Sequence, residues 1–324
     1  MTSLPTKVPE RLRNLAHAAD KGEDVGKSMI NIRILGYLIH FVPTDQGLKT
    51  VVEEISSCKD DFALLNVGKM YYDHYIRAFR TNRGHIPTPS NHESRPSFDK
   101  IADMTKTTMV LMAPQSHADA KKNVSLSAFI RDGYRCVVTG KYDSLSVRDI
   151  RELNDIVRSD TSLRRESTRC AHIFAESTNS SIEPGSAKRD HAATIASFGK
   201  RGYVMTLVPG FHADFDELMV WFVATDEENK YTLQATDPTI LRGYPEYVTF
   251  TTPDTVNLPV PSPTYLAIHA ACAKVAHLSG AAERIDKFDR DMEDGTTLEP
   301  NGASAELLEY AISKLQAAGY EITV

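Results

Sequence analysis

The stretch Gly210–Phe222, GFHADFDELMVWF, sets a histidine and several carboxylates on one turn of chain and runs straight into an apolar segment. Side chains four apart on a helix point the same way, so a helix here aims His212 and Asp216 at a common point. The same residues also suit a plain helix start, where carboxylates are favoured by the helix dipole. Asp214 and Glu217 are expected as exposed acids of that first turn. Phe215, Leu218 and Trp221 are expected to seat the segment on a core.

Working outward, the preceding YVMTLVPG reads as a strand or turn approach, and STRCAHIFAEST as a strand. Alternation along it puts Cys170, His172 and Phe174 on one face and Ala171 and Ile173 on the other. After the opening stretch, LMVWFVATDEENKYTLQATD looks like a hairpin with TDEEN as its turn. Upstream, a helix through ADAKKNVSLSAFIRDG leads to alternation around Cys136, Val137 and Val138, which predicts a strand entering a tight turn at Thr139-Gly140. A surface helix is expected over SVRDIRELNDIVRSD, and another around AKRDHAATIASFG.

The flanks have a different period. Apolar residues recur at three- and four-residue spacing in ERLRNLAHAAD, VGKSMINIRILGYLIHFV, GLKTVVEEISSC and DDFALLNVGKMYYDHYIRAF, which predicts helices. TNRGHIPTPSNHESRPS, rich in Pro and polar residues, reads as a linker, followed by the apolar patch TMVLMAP. Beyond TTPDTVNLPVPSPT, helices are expected through TYLAIHAACAKVAHLSGAAERIDKFDRDME and SAELLEYAISKLQAAG. The resulting expectation is an α+β chain: a helical region over 1–83, linker and patch over 84–116, a mixed domain over 117–240 and a helical region over 241–324.

The 324 residues suit two or three structural units. A formal charge of −6 argues against coating nucleic acid through bulk electrostatics. The cations between Lys121 and Arg201, Arg131, Arg135 and Arg169 among them, are interspersed with acids. They fit a phosphate-facing patch or an ordinary solvated surface. The four cysteines suggest no disulfide framework, and Cys136 and Cys170 lack the partners of a tetrahedral zinc site. MTSLPTKVPERLRNLAHAAD does not read as a secretory leader, and no stretch is apolar enough to span a membrane. An intracellular location, nuclear or cytoplasmic, is expected.

Taken in order, RCVVTG (Arg135–Gly140), AHI (Ala171–Ile173), TL (Thr206–Leu207) and HADFD (His212–Asp216) resemble the HNH endonuclease family, in the branch found in large fungal proteins. The segment HAACAKVAHLSGAAERID is similar to the tail that accompanies that branch. The resemblance implies a central ββα-metal (His-Me finger) domain flanked by helical regions, in which two strands and a helix hold one divalent ion. It implies His172 as general base, and His212 and Asp216 as ligands of Mg²⁺, Mn²⁺ or Zn²⁺. The family's middle Asn falls at Tyr203, whose hydroxyl can hydrogen-bond but does not reproduce a carboxamide. Asn179 or His191 could stand in for it. Ala171 replaces the residue that often serves the family as a further ligand.

The residue types suit the implied chemistry. Hydrolysing a phosphodiester needs a deprotonated water, and neutral imidazole is matched to that near pH 7. A divalent ion neutralises the negative charge that gathers in the transition state. The implied partner is nucleic acid, DNA ahead of RNA, with no membrane and with helical regions able to form a homo-oligomer. The alternative expectation is an HNH-like fold without catalysis, kept as a nucleic-acid or protein interaction module.

Overall fold

The computed structural model describes residues 25–80, 125–174, 202–294, 308, 311 and 312. Outside them lie the helices expected at 10–20 and 187–199, the linker 81–97, the patch 108–114, and Asn179 and His191. The chain mixes helices with small sheets and divides into two compact units. One, predominantly helical, comprises Met1–Arg83, Phe174–Arg189 and Ala267–Val324; the other comprises Gly84–Ile173 and Asp190–Leu266. Among the described residues, no helix is long and apolar enough to cross a membrane.

In the helical unit, α1 (Val25–Phe41), α2 (Asp45–Ser57) and α3 (Asp61–Tyr71) follow the expected spacing. Side-chain caps start two of them: Thr44 accepts from the Gly47 amide and Asp60 from the Ala63 amide, at 3.1 and 2.7 Å, each satisfying a donor the helix cannot. Ile32, Ile34, Leu35 and Leu38 of α1 are buried with Val51, Ile55 and Leu64. A π-helical turn, Tyr72–Ile76, links α3 to the short α4 (Arg77–Arg80). The Tyr75 hydroxyl donates to the Ile268 carbonyl at 3.1 Å. Arg80 holds Asp286 at 2.7 Å and the Ala282 carbonyl at 2.9 Å.

The mixed unit opens with a helical segment over 125–131. Cys136–Val138 is not the expected strand. The Gly140 amide bonds the Cys136 carbonyl at 2.9 Å and Gly140 sits at φ +68°, so the chain closes a turn there, of the kind glycine permits. After the strand β1 (Tyr142–Asp143), the single surface helix expected over 146–160 is two helices. These are α5 (Ser144–Asp149) and α6 (Arg151–Ser159), separated at Ile150 in extended conformation. Ile150 is fully buried in a cluster with Tyr134, Tyr142, Val147 and Leu153. Burial of that side chain thus overrides helix continuity.

β2 (Arg165–Glu166) pairs parallel with β1. β3 (Arg169–His172) then pairs antiparallel with β4 (Val204–Leu207), with Arg169 opposite Leu207 and His172 opposite Val204. Val208 in extended conformation and Pro209 at the first helical position start α7 (Pro209–Asp216), a place where a missing amide costs nothing. β5 (Val220–Ala224) and β6 (Lys230–Ala235) form the expected hairpin, and β7 (Tyr247–Thr249) adds a third strand. The aromatic core of this unit joins Phe211 and Phe215 of α7 to Phe222, Tyr231 and Phe250. In the chain that follows, α8 (Pro263–Ser279) and α9 (Ala281–Asp294) cover the first of the two expected C-terminal helical stretches, while nearly all of the second, 304–319, lies outside the described residues.

Candidate functional site

Three elements of the mixed unit carry the residues singled out by sequence. His172 ends β3. Tyr203 immediately precedes β4, and the Ile173 amide donates to the Tyr203 carbonyl at 2.8 Å, extending the ladder one step past the strands. That extra bond holds the two residues side by side. Their ring centroids lie 5.7 Å apart with the planes tilted by 34°.

α7 carries the other pair. Phe211 and Phe215 are buried against the sheet side of the unit, and with that face fixed the helix turns His212 and Asp216 to the same side. His212 Nε2 lies 3.3 Å from Asp216 Oδ2, with the side chains only 19% and 24% exposed. Burial pushes His212 down to about 4, helped by the positive charge of Arg169 and then by His172. Burial pushes Asp216 up to about 7, with the neighbouring Glu217 adding to it.

With these shifts the carboxyl rather than the ring carries the proton just below neutrality, so the 3.3 Å contact is not an ion pair there. β3 and α7 lie next to each other, and the charge of His172 is a further, smaller cause of the lowering at His212.

The donor set suits a hard or borderline dication. A neutral imidazole offers its lone pair directly, and Asp216 becomes a carboxylate ligand on losing its proton. Among the described residues there is no group of three or more His, Cys, Asp or Glu side chains that could hold a metal ion. Two protein ligands are too few for a zinc site, whether closed or catalytic, but are in keeping with Mg²⁺ or Mn²⁺, which retain waters and draw further ligands from substrate phosphates.

Other expectations need correction. Arg131 is no surface arginine: it is buried against Asp132, and its Nη2 donates to the Val204 carbonyl at 2.8 Å. Asp214 is half-buried and held above the usual carboxylate range by burial and by Glu217, while Glu217 sits at the C-terminal end of α7 as its cap, not in the first turn. Cys136 is buried, and its sulfur accepts from the Thr139 amide at 3.4 Å. Sequence reasoning missed the structural importance of Arg131 and Asp132, because an Arg-Asp dipeptide at a helix end carries no local sign of burial. No family model, curated protein or solved structure matches this chain.

Proposed function

We propose that this protein is a metal-dependent endonuclease of the HNH type, with β3, β4 and α7 as its ββα-metal element and nucleic-acid phosphodiesters as substrate. The observation that supports the proposal is the pairing of a half-buried His212 with Asp216 at 3.3 Å, on a helix that lies next to the strand ending in His172. Held by His212 and Asp216, Mg²⁺ or Mn²⁺ would offset the negative charge that gathers on the phosphoryl and leaving oxygens.

The chain's own residues do the rest. His172 accepts the proton of the attacking water at a ring nitrogen. Tyr203 packs its ring beside that imidazole and limits its rotation, taking over by contact what the family's Asn does by hydrogen bonding. His212 and Asp216 hold the ion, and Phe211 and Phe215 keep the helix from turning them away. The test is nicking of supercoiled plasmid DNA with Mg²⁺, Mn²⁺ or Zn²⁺ added in turn. Wild type nicks and His172→Ala does not; equal behaviour of the two with every ion removes the proposal.

The second reading is a non-catalytic nucleic-acid or protein interaction module, and Tyr203 in the Asn position favours it. Under that reading DNA binding persists without any dependence on divalent ions, and calorimetric titration of Mg²⁺ or Mn²⁺ yields no heat that Asp216→Asn abolishes.

A further inference from the structure

We propose that Ser167 is a phosphorylation site for a basic-directed protein kinase, and that Arg165 and Arg169 clamp the phosphate it acquires. The site stands apart from the nuclease reading, in the short connection that joins β2 to β3. Residues 163–170 read LRRESTRC, and Arg164-Arg165 is the only pair of adjacent arginines in the 324 residues. Kinases of this class read an extended segment, setting acidic pockets against guanidinium groups two and three residues ahead of the acceptor hydroxyl. Counted back from Ser167, those two positions are Arg165 and Arg164.

The fold presents this segment in the form a kinase needs. Exposure alternates along it: Arg165, Ser167 and Arg169 are exposed, while Glu166, Thr168 and Cys170 are half-buried. The chain thus runs extended from β2 into β3 with one face outward. Among the described residues, β2 pairs on one side only, with β1. The inner face is engaged. Glu166 holds Lys141 at 2.7 Å, and the amide and hydroxyl of Thr168 donate to Asp143 Oδ1 at 3.1 and 2.9 Å. These contacts keep the one acid of the segment off the arginines and tie up the neighbouring hydroxyl. The Ser167 hydroxyl forms no hydrogen bond among the described residues. Arg164 is turned onto the carbonyls of Thr161 and Leu163, exposed contacts that a carboxylate displaces, since charge-assisted bonds are the stronger.

In the transfer, Ser167 Oγ bonds to the γ-phosphorus of ATP as the bond to the β–γ bridging oxygen breaks. ADP leaves, and the hydroxyl proton passes to the kinase's catalytic aspartate. The product carries a charge of about −1.5 to −2 at pH 7 and three acceptor oxygens. Residues two apart on an extended chain stand about 6–7 Å from each other on one face, so an arginine on either side reaches the phosphate. Among the described residues, neither Arg165 nor Arg169 makes a hydrogen bond or ion pair through its side chain. Both guanidinium forks are therefore open to phosphate oxygens.

The experiment incubates the full chain with Mg²⁺-ATP and the catalytic subunit of a cyclic-AMP-dependent protein kinase, and follows phosphoryl uptake by intact and fragment mass spectrometry. Wild type takes up one phosphoryl group, on Ser167, and Ser167→Ala takes up none. Arg164→Ala and Arg165→Ala each slow the uptake about tenfold or more. Arg151→Ala, which removes an arginine whose side chain is 91% exposed, leaves the rate unchanged. In phosphorus NMR of the phosphorylated chain, the second phosphate ionisation lies below that of a free phosphoserine peptide, and Arg169→Ala moves it back toward the peptide value. No uptake, uptake on another hydroxyl with Ser167 unmodified, or equal rates in the three arginine variants overturns the site. An ionisation equal to the peptide's, or one that Arg169→Ala leaves in place, overturns the clamp.

Discussion

Arg131 closes a two-pronged ion pair on its own sequence neighbour Asp132, with Nε–Oδ1 at 2.7 Å and Nη2–Oδ2 at 3.0 Å, and both side chains are 2% exposed. The pair also grips β4. Arg131 donates to the carbonyls of Val204 and Pro259, and Asp132 accepts from the Thr206 amide at 2.8 Å. Val204 and Thr206 are the residues opposite His172 and Cys170, so the pair holds the strand that sets the position of His172. Removing one member of a buried pair strands the other charge, at a cost of about 3–5 kcal/mol, against about 0–1 kcal/mol for a surface pair. Urea denaturation of Arg131→Met is expected to show the larger loss, and Arg131→Met with Asp132→Asn is expected to lose less than the two single changes summed. A loss below about 1 kcal/mol for Arg131→Met would place the pair among surface contacts.

Gly68 of α3 meets the backbone of Asn31 on α1. A β-carbon added there would lie 2.6 Å from the Asn31 carbonyl oxygen and 2.8 Å from its β-carbon, and the Asn31 side chain reaches back to the Leu65 carbonyl at 3.4 Å. Helix propensity alone favours Gly68→Ala by about 1 kcal/mol. The obstruction is backbone, however, and cannot rotate aside, so the helices must separate and lose contacts along their length. A net destabilisation of about 1–3 kcal/mol is expected in chemical denaturation; a stabilised variant would show that the crossing is loose.

Much of this architecture could be read from residue spacing. Apolar residues three and four apart located α1 to α3 and α8 to α9, and alternation located β3 and the β5–β6 hairpin, because those patterns extend over enough residues to separate one period from another. Cys136–Val138 misled because three apolar residues cannot distinguish a strand from a turn; the turn is fixed by Gly140 and by the Val137 amide, which docks on the Thr206 carbonyl of β4 at 2.9 Å. The break at Ile150 has no Gly or Pro to announce it and depends on a tertiary cluster. At the candidate site, the helical spacing of His212 and Asp216 was visible. Their proton balance was not, since it comes from burial that only the packed fold creates.

Leu218 ends α7 in a conformation that leucine rarely adopts. Its φ is +61° and its side chain is fully buried. The amides of Leu218 and Met219 bond the carbonyls of Phe215 and Asp214 at 3.0 and 2.8 Å, a Schellman closure in which glycine is the usual occupant. Leu218→Gly relieves about 1–2 kcal/mol of left-handed strain but gives up a buried side chain worth about 2–5 kcal/mol, so a net loss of about 2 kcal/mol is expected. Leu218→Ala loses the same burial and keeps the strain. The expected stability order in thermal melts is therefore Leu, then Gly, then Ala. Alanine equalling or exceeding glycine would mean that the backbone relaxes out of the left-handed region.

His212 and Asp216 move in opposite directions from their ordinary values, to about 4 and about 7. Between about pH 4 and 6.5 the unfolded chain keeps its proton on the histidine and the folded chain keeps it on the carboxyl. Each state binds one proton, so without metal the pair adds no slope to stability against pH. Single variants expose the two halves. In Asp216→Asn only the depressed histidine remains; the unfolded state binds more protons, and stability rises with pH from about 4 to about 6.5. In His212→Gln only the raised carboxyl remains; the folded state binds more, and stability falls as pH climbs from about 4 toward about 7. Either slope is at most about 1.4 kcal/mol per pH unit, measurable from urea midpoints in EDTA at three pH values. Binding of Mg²⁺ or Mn²⁺ to the intact pair at about pH 5.5 has to displace the shared proton, so about one proton is released per ion, as read by calorimetry in buffers of different ionisation heat. Parallel pH profiles for the two variants, or ion binding without proton release, would separate these residues from each other and from the metal.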